Sequence, residues 1–381
     1  MPRFKYILAL LTGSFVAGSS GAQQGPTLPP DRTAATRALY GNLAKWYKQG
    51  KVLIGHQDDV AYGVNWQYQA GRSDVKEVTG AYPAVHGWEL GNLELDSASN
   101  LDKVPFPFMR QQIIRAFESG AVITISWHAN NPLTGKSAWD PKAGTVASVL
   151  PGGSSHQLFV SWLHKVADFL ASLQTENGQK VPVLFRPWHE QTGNWFWWCQ
   201  NVCTPDEFKQ LWMMTVDVLQ NKRGLKHLIW VYNTAEFNSI THLLERYPGN
   251  AVVDMISFDN YQYDGNGAGS GTARYLADNS RRLQWLRQAA DSLGKLPALA
   301  ETGYETIPQN EWWTKTLLPL LQQHPVCYVL LWRNAGKMPD TGKMHYYAPY
   351  AGHASAPDFV RFFQSPTTVF ANQLSHATTY Q

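Results

Sequence analysis

The fold class this sequence predicts is α/β, a single-domain (β/α)8 TIM barrel, and three observations predict it. Short apolar runs alternate with amphipathic stretches along nearly the whole chain, and about eight such runs occur. Most of these runs are apolar on both faces, as parallel strands covered on both sides must be. The polar and indole residues gather where the runs end, as they do at the C-terminal face of a catalytic barrel.

The eight runs, in order, are Val52–Gln57, Ala84–Leu90, Ala121–His128, Val181–Glu190, His227–Asn233, Val252–Tyr261, Pro297–Glu305 and Val326–Asn334. Between them Phe106–Ser119, Gln157–Gln174, Thr204–Lys222 and Ala273–Leu293 carry helical periodicity. Thr204-Pro205-Asp206-Glu207 is a helix start, with a hydroxyl cap, proline in the first turn and acids behind it. A doubly wound open sheet is the rival architecture. The first strand–helix turn has no glycine-rich phosphate fingerprint, which counts against it. The glycine-rich stretch from Asp264 to Thr272 is expected to be a mobile loop.

The N-terminus carries a targeting pattern. Arg3 and Lys5 precede a largely apolar run from Tyr6 to Gly18, and Ser20-Gly21-Ala22 offers small residues for cleavage. Residues 1–22 are therefore expected to be a signal peptide and residues 23–381 the catalytic domain, secreted or periplasmic. The apolar run is short of the roughly 20 residues a membrane span needs. Of 381 residues 44% are apolar and 16% charged, and the net charge is +3. That is a globular chain with neither a nucleic-acid footprint nor a polybasic membrane patch. A monomer is expected. Cys199 and Cys203 lie four apart in a turn-like segment, where an exported chain can close a small disulfide loop. Zinc is the competing use, but no second pair completes a ligand set. Cys327, in an apolar run, reads as a buried thiol.

The strand ends carry the chemistry. Phe185-Arg186-Pro187-Trp188-His189-Glu190 is followed by Gly193-Asn194-Trp195-Phe196-Trp197-Trp198. The seventh run, Ala298-Leu299-Ala300-Glu301, delivers a second acid. Hydrolysis of a glycosidic bond with retention needs two carboxyls about 5–5.5 Å apart, one protonated and one ionised. Burial among indoles favours the protonated form of Glu190, while Glu301 is the candidate nucleophile. The fourth and seventh strands can face each other across the mouth, and Tyr261 stands where its hydroxyl can orient Glu301. The chain holds 16 tryptophans, and aromatic faces stack on sugar rings. Each acid also has a plainer use. Glu301 could be a surface acid, Glu190 could pair with Arg186, and part of the tryptophan run could be core. His189 and His128 could ligate zinc, but no HExxH-type spacing supports that.

Arg186-Pro187-Trp188-His189-Glu190, Trp195-Phe196-Trp197-Trp198, Glu301 and Trp332-Arg333 together resemble glycoside hydrolase family 26, chiefly β-mannanases, over roughly Val52 to Arg333. The resemblance implies a barrel that retains anomeric configuration without cofactor or metal, with Glu190 as acid/base and Glu301 as nucleophile. His189 and Tyr261 would support the two carboxyls, and Trp332 would floor the subsite of the reacting sugar. His128, Trp195, Asp259 and Arg333 would bind sugar hydroxyls or rings, with Asp254, Trp139 and Phe237 as further carry-overs. The implied substrate is mannan, galactomannan or glucomannan. Relatives acting on mixed-linkage β-glucan or β-1,3-xylan, a mannobiose-releasing exo-enzyme and an inactive glycan-binding barrel stay open.

Overall fold

The computed structural model describes residues 27–264 and 271–381. The expected signal peptide and most of the expected glycine-rich loop lie outside the described residues.

All eight expected strands form. They are β1 (Val52–Gln57), β2 (Val85–Glu89), β3 (Val122–Trp127), β4 (Val183–Pro187), β5 (Leu228–Thr234), β6 (Met255–Asp259), β7 (Leu296–Thr302) and β8 (Tyr328–Leu331). Every residue in them is buried, which accounts for their continuous apolar character. Each pairs in parallel with its sequence neighbours, and β1 pairs with β8 from Leu53–Tyr328 to His56–Leu331. The sheet is therefore a closed barrel with no free edge along its eight strands.

The helices form where periodicity places them, bounded by local chemistry. Helix Pro205–Val216 starts in a capping box: the Thr204 side chain accepts from the Glu207 N–H, and Glu207 reaches back to Thr204. Helix Phe106–Ser119 ends at Gly120, whose φ is +98°. A Cβ there would also come within 2.2 Å of the Ser375 backbone, so only glycine fits. The expected helix Thr204–Lys222 changes pitch at Asp217, where a wider π turn runs to Lys222.

Beyond the expected elements, the C-terminal segment straps the N-terminal face of the barrel. Thr368–Val369 adds in parallel to Val52–Leu53 of β1. Ala371 N–H bonds the Tyr82 carbonyl at 3.0 Å, and the Tyr380 hydroxyl donates to the Ala121 carbonyl at 2.6 Å. No helix among the described residues is long and apolar enough to cross a membrane.

Candidate active site

Glu301 reaches the mouth through an irregularity in β7. Phe258 of β6 pairs with Leu299, yet the next residue, Asp259, pairs with Glu301. On the other edge Val329 pairs with Leu299 and Leu331 with Thr302. β7 thus holds one extra residue against both neighbours, a bulge that re-aims the side chain following it. The Arg186 guanidinium donates to Glu301 Oε1, and the Tyr261 hydroxyl donates to Oε2 at 2.6 Å. Arg186 also donates to Asp259 Oδ2 at 2.6 Å. Arg186 therefore joins the ends of β4, β6 and β7 and does not pair with Glu190.

Glu190 stands just past β4, on a backbone turned sharply by two left-handed residues, Trp188 and Glu190, each with φ of +54°. Such a conformation costs a bulky residue roughly 1–2 kcal/mol and persists only where the surroundings impose it. They do so here. The Trp188 indole is fully buried among Trp127, Phe159, Trp197 and Trp198 and donates to Thr215 Oγ1 at 3.1 Å. The Glu190 N–H donates to Asn233 Oδ1 at 2.7 Å, and Asn233 Nδ2 donates to Asp259 Oδ1 at 2.8 Å. Trp195 Nε1 reaches back to Glu190 Oε2 at 2.8 Å. A Cβ on Gly193 would strike the Trp195 ring at 2.6 Å, so glycine there lets the indole lie over the acid.

One carboxylate oxygen from each of Glu190, Asp259 and Glu301 lies within 4.8 Å of the others. Burial and then the charge of Glu301 raise the Glu190 pKa to about 7, opposed by the Trp195 hydrogen bond. Three such carboxyls could ligate a cation, but Arg186 already supplies a positive charge bonded to two of them. A close pair, one member holding its proton near neutrality, suits displacement at an anomeric carbon with retention. Inverting pairs stand about 6.5–9.5 Å apart.

The remaining expected residues lie at the same end of the barrel, where its strands finish. His189 Nε2 meets His128 Nε2 at 2.9 Å. Trp139 stacks on His128 with ring centres 4.8 Å apart and planes 11° from parallel. Trp139 and Trp195 are 50% and 36% exposed, so both offer a free indole face. Trp332 is half-buried at the end of β8, its N–H bonded to the Thr302 carbonyl beside Glu301. Arg333 pairs with Asp102 at 2.6 Å and borders a cavity of about 620 Å³, also lined by Tyr62, Trp66, Lys103 and Lys337. Glu190 and Glu301 are not among its walls.

Two carry-overs and one pairing are corrected. Asp254 precedes β6, at the opposite end from Asp259. It is held by Arg32 at 3.2 Å and the Trp230 N–H at 2.8 Å, as a brace of the barrel floor. Phe237 is core, packed on Phe258 and Trp285. Cys199 and Cys203 are free thiols rather than a disulfide. The Cys199 thiol turns to the Glu190 carbonyl at 3.5 Å and that of Cys203 to the Trp198 carbonyl at 3.3 Å. Cys327 is a buried thiol, as expected. Asn233 and Glu89 belong to no motif in the sequence. Each is a polar residue within or closing an apolar run, and that was the available signal.

A closed (β/α)8 barrel presenting such a carboxyl pair at the C-terminal ends of its strands has the architecture of the barrel glycoside hydrolases. The profile of Glycosyl hydrolase family 26 matches residues 28–297, and the chain belongs to that family. Among solved structures, it is similar to a family 26 β-mannanase from Bacteroides ovatus. That match has 42% identity and a TM-score of 0.86, covering 92% of this chain and 98% of the other. A family 26 protein from a Muricauda species matches at 30% identity and a TM-score of 0.82, over 92% and 95% of the two chains. A mannan endo-1,4-beta-mannosidase of Bifidobacterium adolescentis is 29% identical over 94% of this chain. The chain spans 37% of that relative's length, and 53% of a mannan endo-1,4-beta-mannosidase from Thermothelomyces thermophilus.

Proposed function

We propose that this chain is a retaining endo-β-1,4-mannanase acting on mannan-type polysaccharide by double displacement. The observation that carries the reading is the approach of the Glu190 and Glu301 carboxylate oxygens to within 4.8 Å. Glu190, protonated below about pH 7, gives its proton to the glycosidic oxygen as a Glu301 oxygen attacks the anomeric carbon. The leaving chain departs and a glycosyl ester forms on Glu301. Glu190, now a carboxylate, takes a proton from water, which attacks the same carbon and releases Glu301. Tyr261 and Arg186 fix the Glu301 oxygens through both steps. Trp195, Trp139 and Trp332 bind sugar faces, while His128, His189, Asp259 and Arg333 bind hydroxyls or hold the groups that do. The substrate assignment draws support from the relatives named mannan endo-1,4-beta-mannosidase. Residues 1–22 direct export, a reading supported by the basic start and apolar run, and the domain acts as a monomer.

Reducing ends released from mannan, mixed-linkage glucan and β-1,3-xylan test the substrate. Early-time NMR of the hydrolysate tests the chemistry. Mannan should be cleaved fastest, with the β-anomer appearing first. An α-product would overturn the nucleophilic role of Glu301, and preference for another glycan would overturn the substrate assignment.

A further inference from the structure

Glu89 ends β2 with none of its surface exposed. A buried carboxylate is costly unless its oxygens are bonded, and those of Glu89 are. The N–H groups of Gly91 and His128 donate to Oε1 at 2.6 and 2.7 Å. The Ser126 hydroxyl and His128 Nδ1 reach Oε2 at 2.7 and 2.8 Å. Four partners thus use the two oxygens as acceptors, so Glu89 is ionised and His128 carries a hydrogen on Nδ1.

That leaves His128 Nε2 facing His189 Nε2 at 2.9 Å, a gap that holds one hydrogen. With the hydrogen on His128, that ring is an imidazolium, and neutral His189 must carry its own hydrogen on Nδ1. With the hydrogen on His189 Nε2, His189 Nδ1 is bare. This nitrogen is buried with no protein partner among the described residues. Whether this nitrogen carries a hydrogen therefore depends on which ring owns the shared one.

We propose that Glu89 is a positioning residue which, through His128, holds the shared hydrogen on His128 and so keeps the hydrogen of neutral His189 on Nδ1. The surrounding charges favour this arrangement. Burial disfavours the charged form of His128, but Glu89, Glu301 and Glu190 act on it and raise its pKa above the ordinary imidazole value; Asp102 adds to this negative field. Burial lowers the His189 pKa well below that value, and His128 and Arg186 lower it further.

Imidazole ¹⁵N NMR of the intact wild-type protein tests it without any substitution. At pH 7 both nitrogens of His128 should be protonated, and His189 should be protonated on Nδ1 alone. Protonation of His189 on Nε2 would overturn the proposal. Glu89→Gln keeps the shape and removes the charge. Its amide oxygen takes the place bonded by the Gly91 and His128 N–H groups, so its NH2 donates to His128 Nδ1, and His128 should become neutral with its hydrogen on Nε2 alone. A His128 that stays protonated on both nitrogens in this variant would also overturn it. If the variant fails to fold, the wild-type spectrum still decides. A wild type that cleaves no mannan would remove the mannanase reading, while the tautomer result would stand independently.

Discussion

Trp195 Nε1 donates to Glu190 Oε2 at 2.8 Å, so an indole 36% exposed at the cleft also holds the proposed acid. In the proposed mechanism, sugar binding and proton donation thus share one side chain. That bond favours the charged form of Glu190, while burial and Glu301 favour the neutral form and raise its pKa to about 7.

The proposed mechanism requires protonated Glu190, so kcat/KM should fall as pH rises through about 7. Trp195→Phe removes a donor to the carboxylate, so the Glu190 pKa should rise and the alkaline limb should move to higher pH, while the maximum rate falls. A pH–rate profile of both proteins checks this. An alkaline limb that stays in place would separate Trp195 from the acid.

Glu190→Ala should cut turnover on polysaccharide by about 10²- to 10⁴-fold, the usual scale of acid–base assistance. Aryl mannosides with good leaving groups depart without that assistance, so their glycosylation step should suffer less. Pre-steady-state release of the phenol measures this. Equal losses on both substrates would remove Glu190 as the acid.

Tyr261→Phe deletes the hydroxyl bonded to Glu301 Oε2 at 2.6 Å and keeps the ring. Its effect should fall on kcat, on the order of 10- to 1,000-fold, with KM little changed. Steady-state kinetics on a soluble mannooligosaccharide would show this, and a wild-type kcat would make Tyr261 a wall of the cleft only.

Asn233→Ala strips the partner from the Glu190 N–H and from one oxygen of Asp259. Each buried group left unpaired costs about 1–3 kcal/mol. Denaturant unfolding should show a loss of that order, and kcat should fall because the left-handed turn at Glu190 loses its anchor.

Trp188→Ala removes a fully buried indole beneath the acid. Phe/Trp→Ala changes in a packed core cost about 3–5 kcal/mol, and chemical denaturation should show a loss in that range. A smaller loss would mean that Trp127, Phe159 and Trp197 close around the space.

Periodicity and strand-end polarity made the eight strands legible, because a buried parallel strand must be apolar and only its end is free to carry charge. The extra residue in β7 was not legible. Ala300 and Glu301 look like any alternating pair, and only pairing with Asp259 and Thr302's partner Leu331 exposes the shift. Asn233 and Glu89 were hidden for a different reason. Each acts through a hydrogen bond to a residue distant in sequence, Glu190 or His128. The cysteine spacing suited a disulfide, yet each thiol turns instead to a backbone carbonyl. The two corrected carry-overs were residues of the right type at the wrong end of a strand or in its packing layer.

The C-terminal strap also bears on the order in which the molecule can be made. β1 is flanked on one side by residues 328–331 and on the other by β2, and its lower end is met by residues 368–369. A growing chain therefore holds its first strand for nearly three hundred residues before the barrel can close around it. Contacts this remote form slowly, because the intervening loop must lose its entropy first. During synthesis the chain consequently lacks a route to an early native barrel.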